Sequence, residues 1–113
     1  MVAAIDKTPV TFDEFIAWYP EDAEYRYELR RGVIVEMAKP RGKHSEIAGF
    51  VIKKLNNVID QIQVPFFIPR ECIIKTFEDT GYEPDIAVVD RPCLVGEPRW
   101  ESASVIENGR SVR

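Results

Sequence analysis

The longest regular pattern of apolar and polar positions in the chain lies between residues 44 and 63. Apolar side chains recur there every three or four residues, which places them on one face of a helix, and polar side chains fill the opposite face. The spacing predicts a long amphipathic helix from about His44 to Gln63, ended by Pro65. The predicted apolar stripe consists of Ile47, Val51, Leu55, Val58 and Ile62.

A shorter helix is predicted closer to the N-terminus. Thr11 and Glu14 have the spacing of a capping box, in which each side chain accepts a hydrogen bond from the backbone N–H of the other residue. Phe12 and Phe15 lie on the apolar face of this helix, and Pro20 ends it.

Apolar and polar residues alternate with period two over residues 25–38, which predicts a β-hairpin. A three-residue loop, Arg30–Gly32, keeps the apolar side chains on one face, whereas a two-residue loop places Tyr27 opposite Glu36. We therefore expect the longer loop. It pairs Leu29 with Val33, Tyr27 with Val35 and Tyr25 with Met37, and it sets Arg26 against Glu36.

The second half of the chain predicts further strands. Residues Arg70–Phe77 are rich in β-branched and aromatic side chains, and Glu78–Gly81 form a turn. The centre of Asp85–Asp90 is apolar at every position, which indicates a strand buried on both faces. Asn108–Gly109 predicts a turn, and a last strand would open at Arg110–Arg113. This order of elements is typical of an α/β (α+β) fold with helices packed on a sheet.

Composition narrows the class of protein. A length of 113 residues fits one domain, taken as residues 1–113. With 45% hydrophobic and 30% charged residues, disordered and fibrous classes are excluded. No apolar run approaches the ~20 residues of a membrane span. Cys72 and Cys93 have no CxxC spacing, which indicates reduced thiols in a cytoplasmic protein.

Acidic residues gather around the Asp85–Asp90 strand. Five acids and no basic residue occur from Glu78 to Asp90, and Glu83-Pro84-Asp85 places carboxylates where the strand begins. Such oxygens could hold a hard cation such as Mg²⁺. Solvated turn residues are the alternative, and composition alone favours them.

Basic residues gather just before the long helix. Lys39, Arg41 and Lys43 lead to His44, with no acid among them. Because helix N-termini attract phosphate, this stretch could contact nucleic acid. A solvated turn is the alternative. The net charge of −4 and a pI near 5.0 argue against binding driven by overall charge, but they leave a local basic site open.

Four motifs together resemble the Uma-two family of restriction endonucleases, and the likeness covers nearly the whole chain. They are Thr-Phe-Asp-Glu-Phe (11–15), Tyr-Glu-Leu-Arg-Arg-Gly-Val-Ile-Val-Glu-Met (27–37), His44 opening a long helix, and Pro-Asp-Ile-Ala-Val-Val-Asp (84–90). The resemblance implies a restriction-endonuclease-like mixed sheet flanked by helices, as in PD-(D/E)xK nucleases.

The resemblance also implies a site. It places the metal-binding carboxylate at Asp85 and makes Asp85, His44, Glu36 and Glu28 the candidate catalytic residues. The implied cofactor is Mg²⁺ or Mn²⁺, which polarises a phosphate and activates water. The implied partner is DNA, contacted by Lys39, Arg41 and Lys43.

One departure from the family limits this expectation. The resemblance implies another acidic ligand, with a lysine or its substitute two residues on, on the strand after Asp85. The given sequence ends at Arg113, where we expect that strand to begin. One carboxylate alone holds Mg²⁺ poorly. We therefore expect the N-terminal part of a metal-dependent endonuclease domain, catalytically incomplete as this chain. The alternative is a truncated, non-catalytic module that binds a partner or forms a homodimer through exposed sheet edges.

Overall fold

The computed structural model describes residues 2–6, 9–21 and 25–108. Within these residues a mixed six-stranded sheet has the order β1-β3-β2-β6-β5-β8, and β4 pairs with β7 in a separate ribbon. Strand β8 runs parallel to β5, and the other pairs are antiparallel. The predicted α+β fold is confirmed. The strand expected at Arg110–Arg113 lies outside the described residues.

The elements have the following bounds. The helices are α1 (Phe12–Trp18), α2 (Gly42–Ile62), α3 (Trp100–Ala103) and a 3₁₀ turn at Arg91–Leu94. The strands are β1 (Val2–Asp6), β2 (Arg26–Arg30), β3 (Val33–Met37), β4 (Phe66–Phe67), β5 (Ile73–Phe77), β6 (Thr80–Tyr82), β7 (Val89–Asp90) and β8 (Val105–Ile106). The sequence analysis did not predict β1, which pairs with β3.

Helix α1 covers one face of the sheet. Its capping box is present, since the Thr11 hydroxyl accepts from the Glu14 N–H and the Glu14 carboxylate accepts from the Thr11 N–H. Phe12 and Phe15 are fully buried against Leu29 of the sheet. Burial of aromatic side chains of this size is what holds a short helix in place.

The predicted hairpin is present, but its predicted register is wrong. Strand residue Tyr27 faces Glu36, and Arg26 faces Met37, so the loop has two residues, Arg31 and Gly32. Both loop residues have positive φ, 49° and 81°. A two-residue turn of this kind matches the twist of the strands it joins. That preference outweighs the mixing of apolar and polar side chains on one face.

The predicted strand over Asp85–Asp90 is also largely wrong. Only Val89–Asp90 forms a strand, paired with β4, and residues 85–88 have no regular structure. Ala87 and Val89 are buried, whereas Ile86 and Val88 are half-buried. Pro84 lacks an N–H to donate to a ladder, which ends the pairing that β6 makes before it.

The long helix α2 is confirmed, but its packing differs from a core helix. No residue of α2 is buried, and its main contact among the described elements is with β4. Ala48, Ile52, Leu55 and Ile59 are half-buried, so they form its inner face. None of the described helices is both long and apolar enough to cross a membrane.

Candidate nuclease cleft

A cleft of about 440 Å³ opens where the N-terminus of α2 meets the segment that follows β6. Its walls come from four separate parts of the chain, which only the fold brings together. Charged side chains of both signs face it. Its lining residues are Arg26, Lys39, Pro40, His44, Ser45, Ala48, Arg70, Glu71, Glu83, Pro84 and Asp85.

The central contact of the cleft joins His44 to Asp85. Their side chains are 41 residues apart in sequence, and His44 Nε2 lies 3.1 Å from Asp85 Oδ2. A carboxylate only accepts, so Nε2 carries the hydrogen of this bond. The side chains are 55% and 51% exposed, which leaves both accessible to a ligand in the cleft.

Arg26 holds the other oxygen of Asp85. Its Nη1 lies 3.7 Å from Asp85 Oδ1, and its side chain is less exposed than that of Asp85. The corrected register explains this contact, because Arg26 faces Met37 and is free to reach Asp85 instead of Glu36. Both oxygens of Asp85 are therefore engaged by groups that donate hydrogen bonds or carry positive charge.

Glu28 fixes the segment that carries Asp85. It is buried, with Oε1 accepting from Arg30 Nη2 at 3.0 Å and Oε2 accepting from the Glu83 N–H at 3.2 Å. Because both oxygens are bound within the protein, the geometry gives Glu28 a positioning role. It ties β2 to the chain two residues before Asp85.

Glu83 is the second carboxylate close to Asp85 in sequence, and it has an unusual environment. Burial raises the pKa of its carboxyl to about 7; Arg26 lowers that pKa, and Glu71 and Glu28 raise it. Its Oε2 is buried and has no hydrogen-bond partner among the described residues. A cation placed beside this oxygen would satisfy it.

The predicted phosphate-binding residues surround the mouth of the cleft unequally. Lys39 lines the cleft, whereas Arg41 and Lys43 are exposed beside it at the start of α2. Arg41 is the N-cap residue of α2 and makes no side-chain capping hydrogen bond. The first turn of α2 contains no acid. This end of the helix therefore presents backbone N–H groups and positive charge.

The structure separates Glu36 from the other candidate catalytic residues. Glu36 faces Tyr27 across the hairpin, and Glu28 faces Val35. Since neighbouring strand residues point to opposite faces, Glu36 shares the sheet face of Tyr27, away from Glu28. A catalytic role for Glu36 has no support from this placement.

No group of three or more His, Cys, Asp or Glu side chains suited to one metal ion occurs in the described part of the chain. A strand after Asp85 does exist before Arg113, because β8 pairs with β5. Glu107 follows β8, but its Oε2 lies 3.4 Å from Arg99 Nε, and Glu107 does not line the cleft.

Sequence analysis proposed His44, Asp85 and Lys39 for the site and named Glu83 among the carboxylates that could hold a cation, but it gave Arg26 and Arg70 no role in a site. The signal for Glu83 was its place directly before Pro84-Asp85. Arg26 was assigned to Glu36 because the register was wrong. Arg70 stands alone beside Pro69, and no local pattern distinguishes it.

Comparison with known proteins gives one result. The model of the Uma2 family, described as "Putative restriction endonuclease", matches residues 12–108. The match includes His44 and Asp85 together with Arg26, Glu28 and Glu83. No curated protein and no solved structure matches the chain.

Proposed function

Because this chain belongs to the Uma2 family, we propose that its cleft is a nuclease site, which binds a DNA phosphodiester together with a divalent metal ion. The observation that carries this proposal is the 3.1 Å contact between His44 and Asp85. It joins an imidazole and a carboxylate inside a cleft whose rim carries lysine and arginine side chains.

The basic side chains suit the phosphate. Arg26, Lys39 and Arg70 line the cleft, and the exposed N-terminus of α2 adds oriented N–H groups. Arginine and lysine neutralise phosphate charge and position a nucleic-acid backbone without selecting its sequence. The expected substrate is therefore a DNA backbone, and no base specificity is assigned.

The acidic side chains suit Mg²⁺ or Mn²⁺. Mg²⁺ is commonly held by one or two carboxylates plus substrate phosphate and water. Asp85 supplies an accessible carboxylate, and the partnerless Oε2 of Glu83 is a second candidate oxygen. When bound, the metal ion would polarise the scissile phosphate and lower the pKa of a water.

His44 and Arg26 have distinct roles in this proposal. The His44 Nε2–H orients the Asp85 carboxylate, and the proposal assigns to the His44 ring the transfer of a proton to or from the reacting oxygens. Arg26 neutralises Asp85 while the cleft is free of ligand. In the PD-(D/E)xK scheme, Pro84-Asp85 supplies the first acid of the site.

A second candidate function is DNA binding without cleavage. It is favoured by the scarcity of metal ligands around Asp85 among the described residues and by the engagement of both Asp85 oxygens. On this view the same cleft holds a phosphate through its basic side chains, and hydrolysis needs a further acid.

Cleavage of duplex DNA in Mg²⁺ or Mn²⁺ separates the two candidates. Asp85→Asn is compared with Asp60→Asn, a matched change on the exposed part of α2. Metal-dependent cleavage that is lost in Asp85→Asn and kept in Asp60→Asn supports the nuclease. DNA binding without cleavage supports the second candidate, and the absence of both overturns the proposal.

The salt dependence of DNA binding tests the basic rim. Replacing Lys39, Arg41 and Lys43 by Ala should flatten the slope of log affinity against log salt by about 0.9 for each phosphate that these side chains neutralise. Lys53→Ala, an exposed change farther along α2, serves as the control. An unchanged slope in the triple variant would leave these three residues as ordinary surface.

A further inference from the structure

Helix α2 presents an exposed apolar stripe that the proposed function does not use. Four apolar side chains share one side of the helix and are 37–57% exposed; we call them the outer stripe. Phe50, 60% exposed, borders them. The four members of the outer stripe are Ile47, Val51, Val58 and Ile62.

The outer stripe has a symmetric spacing. Its members are separated by four, seven and four residues, so the same spacing is met from either end of the helix. At 3.6 residues per turn all four fall within about 60° of the helix circumference. An antiparallel copy of the same helix therefore sets Ile47 against Ile62 and Val51 against Val58.

We propose that α2 pairs with α2 of a second copy of this chain, antiparallel and related by a two-fold axis between positions 54 and 55. The inference does not depend on the proposed nuclease function. A two-fold interface needs a surface that is complementary to itself. The outer stripe has this property, whereas an unrelated partner would not require symmetric spacing.

The exposed area agrees with a weak, reversible dimer. The outer stripe and Phe50 expose roughly 500 Å² of apolar surface per copy, against about 800 Å² per partner in a standard interface. Side chains flanking the stripe add polar area. An interface of this size lies at the low end of specific interfaces, so we expect a weak dimer that forms only at high protein concentration.

Lys54 lies at the centre of this surface and limits its affinity. Its ammonium sits 5.4 Å from the ring centre of Phe50 on the same helix. In the proposed pair the two copies of Lys54 approach each other beside the two-fold axis. Like charges at this position weaken the pair, so added salt should strengthen it by screening them.

Sedimentation equilibrium of the full chain from 10 to 500 µM is the test. The wild type should show a monomer–dimer equilibrium, and Lys54→Leu should lower the dissociation constant of the dimer by about tenfold. The double variant Val51→Ser, Val58→Ser should remain monomeric. Asn56→Ala, on the opposite side of α2 and also exposed, should dimerise like the wild type.

Several results would overturn the proposal. One is a monomer at every concentration in both the wild type and Lys54→Leu. Another is a dimer that survives the double serine substitution, because it would use a different surface such as a sheet edge. A mass above that of a dimer would also contradict two-fold pairing. Circular dichroism of each variant confirms that a loss of association does not come from unfolding.

Discussion

Replacement of Glu28 by Ala is the sharpest test of how the cleft is built. Glu28 is 7% exposed, and its carboxylate joins β2 to the Glu83 backbone. The substitution removes the acceptor of the Glu83 N–H and the partner of Arg30. The segment that carries Asp85 then loses its tie to the sheet.

The expected loss of stability can be worked from the two contacts. A hydrogen bond to a charged group contributes about 1.5–3 kcal/mol. The Arg30 side chain is 41% exposed and regains water when Glu28 is removed, so its ion pair adds less than about 1 kcal/mol. We expect Glu28→Ala to lower the free energy of unfolding by about 2–3 kcal/mol, a shift in Tm of roughly 10 °C.

Urea and thermal unfolding followed by circular dichroism measure this loss. Glu36→Ala is the matched control, because Glu36 lies in the same hairpin on the opposite face of the sheet. Glu36→Ala should lower the free energy of unfolding by about 0.5 kcal/mol. Glu28→Gln keeps an acceptor oxygen, so its loss of stability should lie between those of Glu28→Ala and Glu36→Ala. If Glu28→Ala and Glu36→Ala are equally stable, Glu28 does not hold the Asp85 segment.

Three further predictions concern the core and the ionisable groups. Gly81→Ala should destabilise the fold by about 1–3 kcal/mol in urea unfolding, because a Cβ there would lie 2.5 Å from a ring carbon of buried Phe12; a neutral result would mean that the ring can move aside. Native alkylation should label half-buried Cys93 before Cys72, since Cys72 is 3% exposed and burial raises the pKa of its thiol to about 11; equal rates would contradict this. Because burial raises the Glu83 pKa from 4.5 to about 7, the folded state binds more protons than the unfolded state between these values, and stability should fall as pH rises through this range. In EDTA buffer, Glu83→Gln should show less of this fall between pH 5 and pH 8, and an identical pH profile would refute the assignment.

Local signals in the sequence predicted α1 and α2 well, whereas α3 and the 3₁₀ turn were not predicted. The Thr11–Glu14 capping box and the apolar spacing of α2 act within a few residues, so they are visible in one sequence. The hairpin was located correctly, but two preferences predicted different registers. Turn geometry favoured a two-residue loop, and separation of apolar from polar side chains favoured a three-residue loop. The positive φ of Arg31 shows that turn geometry decided the register.

Features that depend on distant partners could not be predicted in the same way. The apolar run at 86–88 indicated a central strand, but strand formation requires a neighbour with free backbone groups, and Pro84 directs the chain away from β6. The candidate site shows the same limit. His44 and Asp85 could be proposed separately, whereas the contact of Arg26 with Asp85 follows from the register of β2.

The sparse packing of α2 has a consequence for the kinetics of the cleft. A helix with no buried residue can open locally at small free-energy cost, whereas β2 and β3 have a neighbouring strand on both sides and should open at a higher cost. Backbone amides of α2 should therefore exchange with deuterium well before those of the hairpin. His44 belongs to this helix and moves when the helix opens. Asp85 remains close to the sheet, because Glu28 on β2 binds the Glu83 N–H two residues before it. A ligand that bridges the two would slow exchange along α2, which makes hydrogen exchange a direct measure of cleft occupancy.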